Sequence, residues 1–256
     1  MFRRVAIIAT LIILMAPPSR AAGDVPDYVF RGDPPMLDQA RQYELQGTRI
    51  GRICRFSYPR LSVPTGTIWQ VSDIAVDTKH CRKLVREGVP LTLAPAGIGT
   101  TIIRRVIGTS LPQSGSLRAP SSYARPLAQI LSGQSDNWWT DQPGYVVHRD
   151  RTDVTWSFDG SCALGGSTSG YWEYKASTGW SVVYTGGDNT TYCSYHIGQT
   201  WSQFYNYGFC PWDITSTYHY VRFWGYANGA WSGDRSSENT TTCLPLYENF
   251  AVRGPA

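Results

Sequence analysis

The densest group of titratable side chains in this 256-residue chain is His148 with Asp150 and Asp153. An imidazole beside two carboxylates can take up and return a proton as a general acid or base, which is what a hydrolase or transferase needs. The same residues also suit a solvated loop ahead of a strand, so no catalytic residue is assigned. His196 and His219 stand among aromatic residues and read as hydrogen-bonded packing groups. Gly166-Ser167-Thr168-Ser169-Gly170 lacks the central serine of a nucleophile elbow and reads as a glycine-rich connection. No cysteine pair has zinc-knuckle spacing and no histidine pair has metalloprotease spacing, so no metal is expected. No phosphate-cradling glycine loop opens a helix, and no cofactor is expected. Asp188-Asn189 and Glu238-Asn239 offer two oxygens per loop, too few for calcium; their asparagines read as turn residues bonded to nearby backbone.

A second kind of chemistry is stacking. Over residues 218–226, Tyr218, Tyr220, Arg222, Trp224 and Tyr226 fall on one face of a strand, and His219, Val221, Phe223 and Gly225 on the other. Val221 and Phe223 suit a core, which turns the Tyr/Arg/Trp row outward or toward a second layer. Such a row can stack sugar rings and hold a cation–π contact. It can equally serve as cross-strand packing with an arginine laid over it. Tyr220, Arg222, Trp224 and Tyr226 are the candidate ligand-binding residues.

These residues sit inside a doublet. Gly179 and Gly229, Asn189 and Asn239, and Cys193 and Cys243 are each fifty positions apart. The doublet predicts a hairpin around Thr178-Gly179 and a second around Asn228-Gly229, the latter a strong hairpin signal. The six cysteines, Cys54, Cys81, Cys162, Cys193, Cys210 and Cys243, form an even set suited to disulfides. Sequence alone leaves fifteen connectivities. The doublet suggests Cys162–Cys193 and Cys210–Cys243, leaving Cys54–Cys81.

Stepping outward, residues 1–21 read as a secretory signal: Arg3 and Arg4, an apolar run, then small residues before a cleavage point after Ala21. Cleavage would leave 20 basic against 19 acidic residues, so no electrostatic footprint for nucleic acid or anionic lipid is expected. Nor is membrane attachment expected after cleavage, since no other segment is long and apolar enough to span. Residues 22–90 form a disulfide-containing N-terminal segment, with a short helix over 36–45 entered through Asp33 and Pro34 and stopped by Gly47. Within it, Cys81 to Gly88 reads as a helical turn or two. Residues 91–135, rich in Pro, Gly, Ser and Ala, read as a linker or extended connection. Nine of the ten Trp and 12 of the 16 Tyr lie beyond residue 136, which places an aromatic-rich β domain at 136–256.

Two resemblances bear on function. Tyr28-Val29-Phe30-Arg31-Gly32-Asp33-Pro34-Pro35 resembles the opening strand of pertussis- and cholera-type ADP-ribosyltransferase toxins. That resemblance would make Arg31 the residue holding a nicotinamide dinucleotide. The family also needs a Ser-Thr-Ser strand and a Glu-x-Glu or Gln-x-Glu loop, and this chain has neither in a suitable place. The alternative is a polar strand or loop leading into the helix over 36–45. The run Thr67-Ile68-Trp69-Gln70-Val71-Ser72-Asp73-Ile74-Ala75-Val76-Asp77, with the Asn-Gly turn and the cysteine spacing, resembles uncharacterised exported proteins of filamentous actinobacteria. It implies an address rather than an activity.

The expectation is a mostly β fold: a disulfide-stabilised antiparallel sandwich or barrel with a repeated hairpin and one short N-terminal helix. The expected function is a secreted, extracellular, non-catalytic protein binding glycan or cell-surface material through its aromatic face. An exported hydrolase or transferase, and an extracellular interaction or inhibitor protein, are the alternatives.

Overall fold

Side-chain alternation over unusually long runs decides the architecture. A computed structural model describes residues 26–32, 34–62, 66–91, 101–111, 127–210, 213–240 and 245–255, with the side chains of 101, 102 and 209 left out. The signal segment 1–21 and the expected Cys210–Cys243 closure fall outside the described residues. In chain order the strands are β1 Val29–Phe30, β2 Leu37–Gln46, β3 Thr48–Ile50, β4 Ile53–Ser57, β5 Ile68–Asp77, β6 Arg82–Pro90, β7 Thr101–Ser110 and β8 Gln129–Thr140. They continue with β9 Val146–Phe158, β10 Ala163–Tyr174, β11 Trp180–Tyr192, β12 Tyr195–Cys210, β13 Asp213–Tyr226, β14 Trp231–Thr240 and β15 Tyr247–Arg253.

The strands form two antiparallel sheets. The large one runs β2-β6-β5-β15-β8-β9-β10-β7, with β1 paired to β5. The small one runs β11-β12-β13-β14-β4-β3. Neither closes on itself, so the fold is a sandwich and not a barrel. Strands from residues 29–90 contribute to both sheets: β4 lies beside β14, and β5 beside β15. β7 and β8 arise within the Pro/Gly/Ser-rich region 91–135.

Three expectations are corrected. The segment read as a helix over 36–45 is strand β2, paired with β6 from Leu37↔Pro90 to Gln46↔Arg82. Helix propensity separates these residues by only tenths of a kcal/mol each, and a ladder of eight residue pairs outweighs it. A bulge between Asp38 and Arg41, with Gln39 at φ 51°, absorbs the mismatch in that edge strand. Among the described residues the single helical element is a 3₁₀ turn, Ala176–Thr178. For the same reason the turn expected after Cys81 is strand β6.

The third correction concerns the doublet. Only its second copy is a hairpin: β13 and β14 pair across Asn228-Gly229. In the first copy β10 belongs to the large sheet and β11 to the small one. Both turn glycines adopt positive φ, 85° at Gly179 and 83° at Gly229. A positive-φ glycine therefore serves a sheet crossing in one place and a hairpin in the other. Local sequence sets the turn, while the flanking faces choose the partner.

Two of the expected disulfides are present, Cys54–Cys81 with Cα atoms 5.3 Å apart and Cys162–Cys193 at 4.3 Å. The core between the sheets has two hydrophobic ends. One contains Val154, Trp156, Phe158, Val221, Phe223 and Phe250; the other contains Trp139, Trp172, Trp180 and Phe204. Burying a ring such as Phe223 or Phe250 stabilises by roughly 1.5–3 kcal/mol. Between these ends runs a polar seam. Thr152 and Thr200 hydroxyls meet at 2.6 Å, Ser135 donates to the Arg222 carbonyl at 2.8 Å, and the Thr217 hydroxyl meets His148 Nε2 at 3.0 Å. Each such bond contributes about 1 kcal/mol, but losing one partner costs more, because the other is left buried and dry.

Candidate functional site

Parity along β9 separates the three residues that suggested acid–base chemistry. Val154, Trp156 and Phe158 face the core, so His148, Asp150 and Thr152 face it too. Asp153 points out of the opposite face, half-buried and paired with Arg151 at 3.1 Å. His148 is fully buried, stacked on Phe204 at 4.6 Å and edge-on to Trp180 and His219. Burial holds its imidazole well below the usual range, and the neighbouring His219 adds to this. His219, pushed down to about 3 by burial, has its Nδ1 3.3 Å from the Asn137 side-chain amide. His196, lowered to about 4 by burial, has its Nδ1 2.8 Å from the Thr191 hydroxyl. All three imidazoles are buried and present no exposed face for a substrate to approach. Among the described residues no three His, Cys, Asp or Glu side chains converge as metal ligands.

Arg31 lies beside β1, and its Nη1 donates to Asn249 Oδ1 at 2.8 Å. Asp188 and Asn189 stand within β11, and Glu238 and Asn239 within β14. They therefore form no loop, and Glu238 accepts from Arg55 at 2.7 Å.

The row on β13 is arranged differently. Its burial alternates without a break from Thr215 to Tyr226: Thr215, Thr217, His219, Val221, Phe223 and Gly225 are inside. Tyr218, Tyr220, Arg222, Trp224 and Tyr226 are half-buried on the outer face of the small sheet. Register with β12 places Tyr226 opposite Tyr195, Trp224 opposite Ile197, Arg222 opposite Gln199 and Tyr220 opposite Trp201. The other neighbour, β14, sets Ser232, Asp234 and Ser236 beside Trp224, Arg222 and Tyr220.

The resulting surface has two parts. Trp201 and Tyr220 stack at 6.2 Å with their planes 21° apart. Trp201 can lie flat because Gly186 sits beneath it on β11; a Cβ there would collide with the indole. Tyr220 donates to Gln199 Oε1 at 2.5 Å, and Arg222 Nε donates to Asp234 Oδ1 at 2.5 Å. Tyr184 and Tyr218 extend the aromatic surface, with ring centroids 6.3 Å apart. Burial, reinforced by Tyr184, pushes the Tyr218 phenol up to about 12, so it remains a hydrogen-bond donor. In the second part, Arg60 from the chain after β4 crosses the outer side of Trp224. Its guanidinium carbon is 3.9 Å from the indole centroid. Arg60 also donates to Tyr226 Oη at 3.0 Å and lies 3.5 Å from Asp234. The half-buried stacked pair not covered by Arg60 is Trp201 and Tyr220, with Arg222 and Gln199 at its edge.

Trp201, Gln199, Gly186 and Arg60 were not legible as site residues. The inner side of β12 carries His196, Gly198, Thr200 and Ser202, so hydrophobic alternation is lost there. The usable signal was the other parity: Tyr195, Trp201 and Tyr205 at even spacing. Arg60 is placed by tertiary contact alone.

The outer face of the large sheet holds a cavity of about 220 Å³ lined by Arg149, Arg151, Arg253, Asp136 and Trp138. Two of its three arginines are answered on the same face. Arg149 lies 3.4 Å from Asp136 and 3.2 Å from Glu173, and Arg151 pairs with Asp153.

The fold and this surface define a class: a disulfide-bonded antiparallel β-sandwich with long strands and an aromatic, polar-edged outer face. No family model, curated protein or solved structure matches the chain.

Proposed function

We propose that this protein is an exported, non-catalytic β-sandwich that binds glycan or other cell-surface material on the outer face of its small sheet. The observation that carries the reading is the Trp201–Tyr220 stacked pair, half-buried and edged by Gln199, Arg222 and Asp234. A pyranose offers a C–H face to an aromatic ring and hydroxyls around its rim, and a flat indole with amide, guanidinium and carboxylate neighbours complements both. Export is supported by the signal-like residues 1–21 and by the disulfides, which persist in oxidising compartments. Among the described residues no helix is long and apolar enough to cross a membrane.

The test is binding to an array of cell-surface and matrix polysaccharides. Wild type retains at least one saccharide class, and Trp201→Ala weakens that binding by about tenfold or more. Ile130→Ser, exposed on the other sheet, leaves it unchanged. Failure of wild type to bind any saccharide, while capturing a protein through the same face, would favour the interaction or inhibitor reading instead.

A further inference from the structure

Beneath the small-sheet surface, and independent of it, three neighbouring strands of the large sheet bring a lysine and two carboxylates together. Lys83 on β6, Asp73 on β5 and Glu248 on β15 are all fully buried. Lys83 Nζ lies 2.8 Å from Asp73 Oδ2, 2.8 Å from Glu248 Oε2 and 2.7 Å from Tyr58 Oη. The rings of Phe56, Trp139 and Tyr58 surround Nζ, with centroids 4.4, 4.9 and 5.4 Å away.

The two carboxylates are held differently. Glu248 accepts from Arg235 Nε at 3.0 Å, from Ser237 Oγ at 2.6 Å and from Tyr58 Oη at 2.5 Å. Asp73 Oδ2 accepts from the Glu248 backbone N–H at 3.0 Å, while Asp73 Oδ1 is buried with no hydrogen-bond partner among the described residues. Burial drives the Asp73 carboxyl upward against the pull of Lys83. For Glu248 burial pushes the same way, but Lys83 and Arg235 together outweigh it and keep the group ionised. Asp73 is therefore the carboxyl disposed to be neutral, and a neutral acid is the better electrophile.

We propose that Lys83 and Asp73 condense into an intramolecular isopeptide bond, with Glu248 relaying the proton. The ammonium of Lys83 first passes a proton to the Asp73 carboxylate, giving amine and acid without changing the net charge of the site. The Nζ lone pair attacks Asp73 Cγ and forms the N–C bond. Glu248 takes the second nitrogen proton and delivers it to the departing hydroxyl as the C–O bond breaks. The products are one secondary amide and one water, and Glu248 is again a carboxylate paired with Arg235. No oxidant, reductant or activated group is required.

In water the same condensation is disfavoured, because both ions are well solvated. Here solvation is already lost, and the product replaces a buried ion pair by a neutral amide. Packing holds the reacting groups in contact, which replaces a bimolecular encounter by a unimolecular step.

The test is mass spectrometry of the purified full chain after disulfide reduction, against the mass fixed by its own sequenced termini. Wild type is expected to be lighter by one water, and its digest to contain a cross-linked peptide pair joining Lys83 to Asp73. Lys83→Met, verified as folded by circular dichroism, keeps the full mass. Glu248→Gln, folded, leaves most molecules unlinked. A wild-type chain of full mass overturns the proposal. So does a water loss located elsewhere, as in a succinimide at Asp73 or a link from Lys83 to Glu248. Complete cross-linking in Glu248→Gln overturns the relay. The wild-type measurement decides even where a variant fails to fold.

Discussion

Asp150 sits between the sheets with both carboxyl oxygens bonded to hydroxyls across the interface, Thr200 at 2.6 Å and Ser202 at 2.8 Å. Burial pushes its carboxyl up to about 7, against the opposing pull of those bonds. A raised folded value makes its contribution to stability complete below the ordinary 3.8 and progressively lost as pH rises to about 7. The buried histidines act in the opposite sense. His196 and His219, lowered to about 4 and 3, contribute stability above the ordinary 6.5 that is lost as pH falls through those values. Asp150→Asn removes only the first effect. Its stability relative to wild type should therefore climb between about pH 4 and pH 7 and level off above, the total change approaching roughly 4 kcal/mol for a shift of this size. Urea denaturation at several pH values measures this, and a difference that stays constant with pH would show that Asp150 titrates normally. The histidines were read correctly as packing groups at 196 and 219. The cluster of His148, Asp150 and Asp153 is divided because parity turns Asp153 outward and leaves His148 and Asp150 buried between the sheets.

At the scale of the element, strands were legible where their buried face is hydrophobic. Val154, Trp156 and Phe158 gave away β9, and Val221 and Phe223 gave away β13. β12 was illegible because its inner face is polar, and β2 because an edge strand with exposed side chains carries no period. The inner face of β13 also shows how tightly the sheets fit. Gly225 lies against the Trp156 ring, and a Cβ at that position would overlap the indole. Gly225→Ala is expected to destabilise by about 1–3 kcal/mol, the usual cost of overpacking, and to lower the midpoint of chemical denaturation. An unchanged midpoint would mean that Trp156 moves freely, contrary to its complete burial.

For the whole molecule, the decisive feature is that consecutive strands are distributed between two sheets. The Cys54–Cys81 disulfide spans that division, joining β4 of the small sheet to the turn that enters β6 of the large one. The Cys54→Ala, Cys81→Ala double variant should lose roughly 2–4 kcal/mol of stability, because the unfolded chain regains the freedom of a 27-residue separation. Guanidinium denaturation of the variant, compared with reduced and oxidised wild type, checks this. A variant as stable as oxidised wild type would show that this disulfide adds nothing to the hold between the sheets. The Trp201–Tyr220 surface depends on the same arrangement, since Arg60, which caps Trp224, is delivered from the segment following β4.

By itself, the sequence determined that the chain is an antiparallel β protein suited to disulfides and which residues of β13 share a face, and it suggested, without choosing among fifteen connectivities, two of the cysteine pairings. Those follow from local periodicity, turn chemistry and matched spacing. Only the tertiary structure decided that the doublet is one hairpin and one sheet crossing, that His148 lies inside, and that Arg60 covers Trp224 while Trp201 stacks on Tyr220. It alone brought Lys83, Asp73 and Glu248 together. Each of these depends on partners distant in sequence, and a strand's choice of partner is made by complementary faces, not by its own residues.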